Sequence, residues 1–193
     1  MDSVTATRQI TAAEFLAMPP RTGAARRELI DGEIVVNQPT WRHNDAQIVI
    51  VEALLIWIRA ADGRGRAGLP LDVELDDRNV HVPDVVWYRD GRVPALADEP
   101  PYPVPDLVVE VRSPSTWRYD IGAKKANYER HGAPELWLVD TAADAVLAFR
   151  RSSPDAAHFD ISAELAVGGT LTSPQLPGFV LPVGDIFRRT AGP

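Results

Sequence analysis

Apolar and polar residues follow one another along this chain with periods that change from segment to segment, and the changes mark out its elements. Thr11-Ala-Ala-Glu14 ahead of Phe15 and Leu16 is a capping-box pattern, which predicts a short helix over residues 12–18 that stops before Pro19-Pro20. Two short strands, 27–30 and 33–36, flank Asp31-Gly32, the dipeptide that suits a type I′ hairpin turn. From 41 to 61 the apolar positions Ile48, Val51, Leu54, Leu55 and Ile58 recur at helical spacing, with Gly63 placed to end the helix. Residues 71–75 alternate, 77–79 turn, and 80–88 read as the second strand of an antiparallel hairpin. Residues 90–105 carry five prolines and read as a loop. The run 106–111 is almost continuously apolar, as expected of a strand covered on both faces. A helix over 119–131, ended by Gly132, and a strand over 135–139 follow; 145–150 and 158–161 read as further strands.

The core order is therefore α-β-β-β-α-β, an α/β arrangement with an N-terminal β-hairpin and a C-terminal β-rich extension. At 193 residues the chain suits one domain over 26–193, with 1–25 as an appendage carrying the short helix. The absence of cysteine excludes disulfides, thiolate metal sites and a cysteine nucleophile, and fits a cytoplasmic protein. The longest apolar run, 47–58, contains Glu52 and is too short to span a bilayer, so no membrane association is expected.

Charge changes the picture locally. The chain carries 20 basic against 27 acidic residues, a net −7 that argues mildly against a dedicated nucleic-acid binder. The segment 112–130 is the opposite, with Arg112, Arg118, Lys124, Lys125 and Arg130 against Asp120 and Glu129.

Two carboxylates stand in strands that otherwise read as core: Asp84 in Val-Pro-Asp-Val-Val-Trp and Glu110 in Leu-Val-Val-Glu-Val. A buried carboxylate needs a cation or a proton. One reading pairs Glu110 with Arg112 on the same strand face and leaves Asp84 at a strand end. The other gives both carboxylates a shared divalent cation, for which hard oxygen ligands suit Mg²⁺ or Mn²⁺. Lysine usage bears on the choice, because Lys124 and Lys125 are the only lysines among 20 basic residues. They are either a solvated pair or a place where a compact ammonium is needed. Helical spacing puts Asp120, Lys124 and Tyr128 on one face with Lys125 about 100° away, which favours Lys124. Glu28 reads as an exposed strand residue unless its hairpin folds over the sheet, and His43 as a cap or surface histidine. No phosphate-binding glycine loop, His-Glu-x-x-His or Gly-x-Ser-x-Gly motif is present.

Taken together, Glu28-Leu-Ile-Asp-Gly-Glu33, His43, Val82-Pro-Asp84-Val-Val, Asp106-Leu-Val-Val-Glu110-Val-Arg-Ser-Pro-Ser115, Asp120-x-x-x-Lys124-x-x-x-Tyr128, Gly132-x-x-Glu135-Leu-Trp137-Leu-Val-Asp140 and Leu176-Pro-Gly178 make a specific set. The chain resembles the Uma family of restriction-endonuclease-like proteins, within the PD-(D/E)XK phosphodiesterase superfamily, over residues 28–187. The resemblance implies a restriction-endonuclease-like core, a mixed sheet flanked by helices. It implies Asp84 and Glu110 as metal ligands, with the Val111 carbonyl as a further one, and Glu28 as an additional acidic residue. It also implies a departure: the superfamily lysine stands two residues after the Glu, where this chain has Arg112, so Lys124 takes the lysine role.

The function this implies is a Mg²⁺- or Mn²⁺-dependent endonuclease acting on DNA. Asp84, Glu110, Lys124 and Glu28 form its site, with His43, Arg112, Asp120 and Tyr128 as neighbours. Arg118, Lys125 and Arg130 approach the phosphate backbone, and a homodimer supplies two sites for two strands. The alternatives are a nuclease-fold protein that has become a nucleic-acid-binding or regulatory module, and a protein-interaction module in which Asp84 and Glu110 form structural ion pairs.

Overall fold

A computed structural model describes residues 9–19 and 25–188. Helix α1 (Ala12–Leu16) has the reciprocal capping box: the Glu14 N–H donates to Thr11 Oγ1 at 3.2 Å and the Thr11 N–H to Glu14 Oε2 at 3.0 Å. Its Ala12 and Phe15 pack on Leu29 and Val80. Strands β1 (Arg26–Ile30) and β2 (Glu33–Asn37) meet at a turn in which Asp31 and Gly32 have φ of 50° and 81°, the type I′ signature. Helix α2 (Trp41–Arg59) starts from Thr40, whose hydroxyl accepts the His43 N–H. It ends two residues short of the expected position, where Arg64 caps the Trp57 carbonyl at 2.6 Å and lies over its ring.

The expected strand over 80–88 is in fact two strands in two sheets. β5 (Asn79–His81) pairs with β4 (Val73–Asp76) and, at Leu29↔Val80, with β1, giving an antiparallel sheet of order β2-β1-β5-β4. β6 (Val85–Tyr88) belongs to a six-stranded sheet, between β7 (Leu107–Val111) and the edge strand β3 (Arg66–Gly68), an element not expected from the sequence. The break falls at Val82-Pro83-Asp84, where proline has no N–H to continue a ladder.

The helix expected over 119–131 starts earlier and is not regular. It runs as α3 (Trp117–Tyr119), a π-turn (Asp120–Lys124) and α4 (Lys125–Arg130). Gly122, a weak helix former with open space around it, lies in the widened turn. Next, β8 (Glu135–Asp140) lies parallel to β7, with Leu107 opposite Glu135 and Glu110 opposite Leu138. β9 (Ala145–Arg150) has the expected bounds and pairs antiparallel with β8. The last long strand, β10, covers Ile161–Ala166 instead of 158–161, because Asp160 folds back to accept the Ser152 N–H at 2.7 Å and lengthens the loop. A two-stranded ribbon, β11 (Thr170–Leu171) with β12 (Leu181–Pro182), leads into α5 (Val183–Phe187).

Both faces of the six-stranded sheet are covered, which explains the unbroken apolar runs of β7 and β8. Leu107, Val109 and Val111 pack towards α2 and α5, with Ile50, Leu54, Trp137 and Val183. Val108, Leu136 and Leu138 face the other way, against Tyr128 and Ala133. Burying each such side chain contributes about 1.5–3 kcal/mol. Strand alternation therefore sends Glu110 to the Tyr128 side. Among the described residues no helix is long and apolar enough to cross a membrane.

Candidate active site

Asp84 occupies the point where the chain crosses from one sheet to the other, its N–H bonded to the Val109 carbonyl at 3.0 Å. Its carboxylate is 2% exposed and fully engaged. Oδ1 accepts from the Arg26 guanidinium at 2.7 Å and from His43 Nε2 at 2.9 Å, while Oδ2 accepts the Val111 N–H at 2.7 Å. Gln47, one helical turn beyond His43, donates to the Asp84 carbonyl at 2.6 Å. Because a carboxylate only accepts, His43 carries its proton on Nε2, and its Nδ1 stands 3.2 Å from Ser113 Oγ.

One residue before Val111, Glu110 Oε1 takes the Tyr128 hydroxyl at 2.7 Å and the Lys124 ammonium at 2.8 Å. Lys124 Nζ also lies 2.7 Å from Glu28 Oε1 and 3.4 Å from Asp120 Oδ1. Three ammonium protons thus face three carboxylates. Glu28 is positioned by the β1–β5 pairing and accepts the Val82 N–H at 2.8 Å. Asp84 and Glu110 are joined through the short stretch of β7 whose Val111 amide holds Asp84.

Burial dominates the electrostatics. It pushes Glu110 well above the usual carboxylate range, against the pull of Lys124, with Glu28 adding to the rise. Asp120 is pushed up to about 7 by burial, again opposed by Lys124 and reinforced by Glu28. Burial disfavours the Lys124 ammonium, but Glu110, Glu28 and Asp120 outweigh it and raise its pKa well above the usual value. Burial and the adjacent Glu110 raise Tyr128 likewise, so its phenol stays a donor.

Several sequence-based expectations change here. Glu28 is buried rather than exposed on its strand, and His43 is fully buried with its ring in the site; only its backbone N–H serves the helix cap. Arg112 does not pair with Glu110; it lies past the end of β7, donates to Asp140 at 2.8 and 3.0 Å, and covers the Trp117 ring. Asp120, Lys124 and Tyr128 share a buried face, while Lys125 turns away to lie 4.7 Å over the Phe149 ring. Arg118 is exposed beside Tyr119, and Arg130 bonds Asn127 and approaches Asp76, so neither joins the carboxylates.

Sequence reasoning missed Arg26, Gln47, Ser113 and His81. Gln47 carried a usable signal, being four residues from His43 on the same helix face, and Ser113 lies within the Arg-Ser-Pro-Ser segment. His81 is wholly buried edge-on to Tyr128 at 4.9 Å, with no hydrogen-bond partner for either ring nitrogen among the described residues. Burial and the nearby Lys124 hold its pKa well below the ordinary value, so its ring is neutral.

Among the described residues no three His, Asp or Glu side chains form a ready metal cage. The candidate donors are the carboxylates of Asp84 and Glu110 and the Val111 carbonyl, all hard oxygens that suit a cation retaining several waters; at Asp84 an ion would have to displace the Arg26 guanidinium from Oδ1. Four buried carboxyl groups here (Glu28, Asp84, Glu110, Asp120) face two cations, Arg26 and Lys124, so the two in excess need either a proton or a further cation. This donor set fits a hydrated divalent ion.

No curated protein matches the chain. Among solved structures it is similar to the crystal structure of a "putative nuclease belonging to DUF820" from Anabaena variabilis, with a TM-score of 0.75 and 23% identity, covering 92% of this chain and 97% of that one. The shared fold is a mixed α/β architecture with no barrel. The Uma2 family profile, described as "Putative restriction endonuclease", matches residues 12–184, and the chain belongs to that family.

Proposed function

We propose that the protein is a Mg²⁺- or Mn²⁺-dependent endonuclease that hydrolyses phosphodiester bonds in DNA. The observation that carries this reading is the buried Lys124 ammonium, held by Glu28, Glu110 and Asp120 next to the Asp84–His43 pair. Asp84, Glu110 and the Val111 carbonyl would hold the ion. When bound, it supplies Lewis acidity to the phosphate oxygens and lowers the pKa of the attacking water.

The chain's own groups position and neutralise. His43 and Arg26 fix the Asp84 carboxylate, and Tyr128 fixes Glu110 with a proton it does not lose. Lys124 has no spare proton until one contact yields. The Asp120 contact, at 3.4 Å the longest of the three, is the one from which Nζ–H turns to a phosphate oxygen or to the water. That donor acts on charge developing in a water-poor site, where it is worth most. Glu28 holds the ammonium through the exchange. Arg118 is the freest of the three cations assigned to the DNA backbone; Lys125 and Arg130 add to the local field. With a net charge of −7, binding should be weak and salt-sensitive.

The test is cleavage of supercoiled plasmid and of single-stranded DNA in Mg²⁺ and Mn²⁺, with Asp84→Ala and Lys124→Ala purified identically. Wild type should cut and both variants should not; equal cutting by all three would overturn the reading. A second reading, a nucleic-acid-binding or regulatory module, is favoured by the Arg26–Asp84 ion pair, which competes with an ion for the same oxygen. It takes precedence if no protein cuts DNA while duplex binding persists.

A further inference from the structure

Asn37 closes β2 and is 9% exposed, yet its side-chain Oδ1 has no hydrogen-bond partner among the described residues. A buried acceptor left unpaired is costly, so its retention calls for a donor that arrives in another state of the site. The strand register identifies that donor. Asn37 stands directly opposite Arg26, the first residue of β1, and the side chains of such a pair leave the same face of the sheet about 4.5–5.5 Å apart at Cβ. Val35, opposite Glu28, is buried on that face too, whereas Ile34 and Val36 point away and are exposed.

Arg26 is at present committed elsewhere, to Asp84 Oδ1 at 2.7 Å, with its side chain 24% exposed. His43 Nε2 shares that oxygen, so an ion and the guanidinium contend for its remaining lone pair. A displaced guanidinium carries several N–H donors and no acceptor. Asn37 Oδ1 is the unpaired acceptor beside it, and the move asks for side-chain rotation on a strand whose backbone stays paired.

We propose that Asn37 Oδ1 is a second seat for the Arg26 guanidinium, which neutralises Asp84 in the ion-free chain and moves to Asn37 when a divalent ion takes Oδ1. The proposal rests on the ion-dependent reading of the site. Asn37 is then a positioning residue that acts through Arg26 and does not touch the ion. The Arg26–Asp84 pair acquires a use as well, because it keeps the Asp84 charge answered until the ion arrives.

The test is equilibrium binding of Mn²⁺ to the full chain without DNA, read from the EPR signal of the free ion. Wild type, Arg26→Met, Asn37→Leu and the double variant are compared, with Asp84→Asn as the control that locates the ion. Arg26→Met keeps the aliphatic stem, removes the competing charge and should tighten binding about tenfold or more. Asn37→Leu changes no charge and deletes an unpaired acceptor, so the thermal midpoint should hold or rise. Mn²⁺ binding should nevertheless weaken about threefold or more, the worth of one hydrogen bond. In the Arg26→Met background Asn37→Leu should change nothing, because no guanidinium is left to seat. A merely structural asparagine would shift the midpoint and would move affinity alike in both backgrounds. Asn37→Leu without effect on wild-type affinity, or with the same effect in both backgrounds, overturns the proposal and leaves the ion-dependent reading standing. Binding confined to the Arg26→Met chains makes Arg26 a fixed plug with no second seat and overturns it too. Absence of Mn²⁺ binding in every chain, or binding that survives Asp84→Asn, overturns both.

Discussion

Two buried glutamates lie at opposite ends of the same parallel strand pair, and their surroundings differ in kind. Glu135, at the start of β8, receives the Trp137 indole N–H at 2.7 Å, the Ser173 hydroxyl at 2.6 Å and the Gln175 amide at 3.3 Å. All three donors are neutral, and Gln175 Nε2 also donates to the Asp106 carbonyl at 2.9 Å. Glu110, at the far end of β7, instead shares one ammonium with Glu28 and Asp120. Burial raises both carboxyls, but Glu110 much further, because the other carboxylates push it in the same direction. A carboxylate met by neutral dipoles is structurally complete; one that divides a cation with two others leaves charge that a proton or a cationic ligand must answer.

The largest effect expected from this contrast is at Lys124. Lys124→Met strands three buried carboxylates, and removing one partner of a buried ion pair costs about 3–5 kcal/mol. Denaturant unfolding in chelator measures it, and a loss below about 1 kcal/mol would show that the ammonium does not organise the cluster. Next come the two glutamates themselves. Glu110→Gln should lower DNA cleavage by about 10–100-fold or more, because it weakens the hold on the ion and on the Lys124 ammonium, while stability holds or rises. Glu135→Gln should keep the cleavage rate and cost about 1–3 kcal/mol, because its amide leaves a buried donor unmet. The opposite pattern would end the distinction between the two ends of the sheet.

A smaller effect distinguishes the ends by pH. The Asp120 carboxyl titrates near 7 in the fold against 3.8 unfolded, so between those values the folded chain binds the additional proton. Its stabilising contribution is complete below 3.8 and is lost as pH rises through 7. In chelator, Asp120→Asn should therefore gain stability relative to wild type between pH 5 and pH 8. The gain should exceed about 1 kcal/mol, since each tenfold difference in proton affinity between folded and unfolded chain is worth about 1.4 kcal/mol. A difference that stays flat across that range would place the proton elsewhere.

What could be read from the sequence follows the same physics. Asp84 and Glu110 stood out because a charge inside an apolar strand is costly wherever the strand goes, and Lys124 because lysine is rare here and helical spacing gave it a buried face. Glu28 and His43 gave no such signal. Their burial is created by tertiary contacts, the β1–β5 pairing at Leu29↔Val80 and the docking of α2 beside Ser113. Arg26 is an ordinary surface-type residue until Asp84 arrives beside it. The split of 80–88 was legible only at Pro83, because both halves are apolar and the period does not change across the break. β3 is three residues long, too short for any period to show.

The smallest predicted effect concerns Arg112, two residues after Glu110, where the resemblance drawn from the sequence leads one to expect lysine. Its guanidinium is committed to Asp140, whose carboxyl it helps to hold below the usual range despite partial burial, and it covers the Trp117 ring at 5.4 Å. The pair is partly solvated, so its loss should cost about 1 kcal/mol or less. Arg112→Ala should leave cleavage within a few-fold of wild type, and Arg112→Lys should not rescue Lys124→Ala. The reason is geometric. β7 alternation sends Glu110 towards Tyr128 and Lys124, while the chain beyond Val111 turns Arg112 to the end of β8. An ammonium at 112 would meet Asp140, not the three carboxylates. Rescue of Lys124→Ala by Arg112→Lys would show that the site reaches across the strand end, and the assignment of the lysine role to the helix would fall.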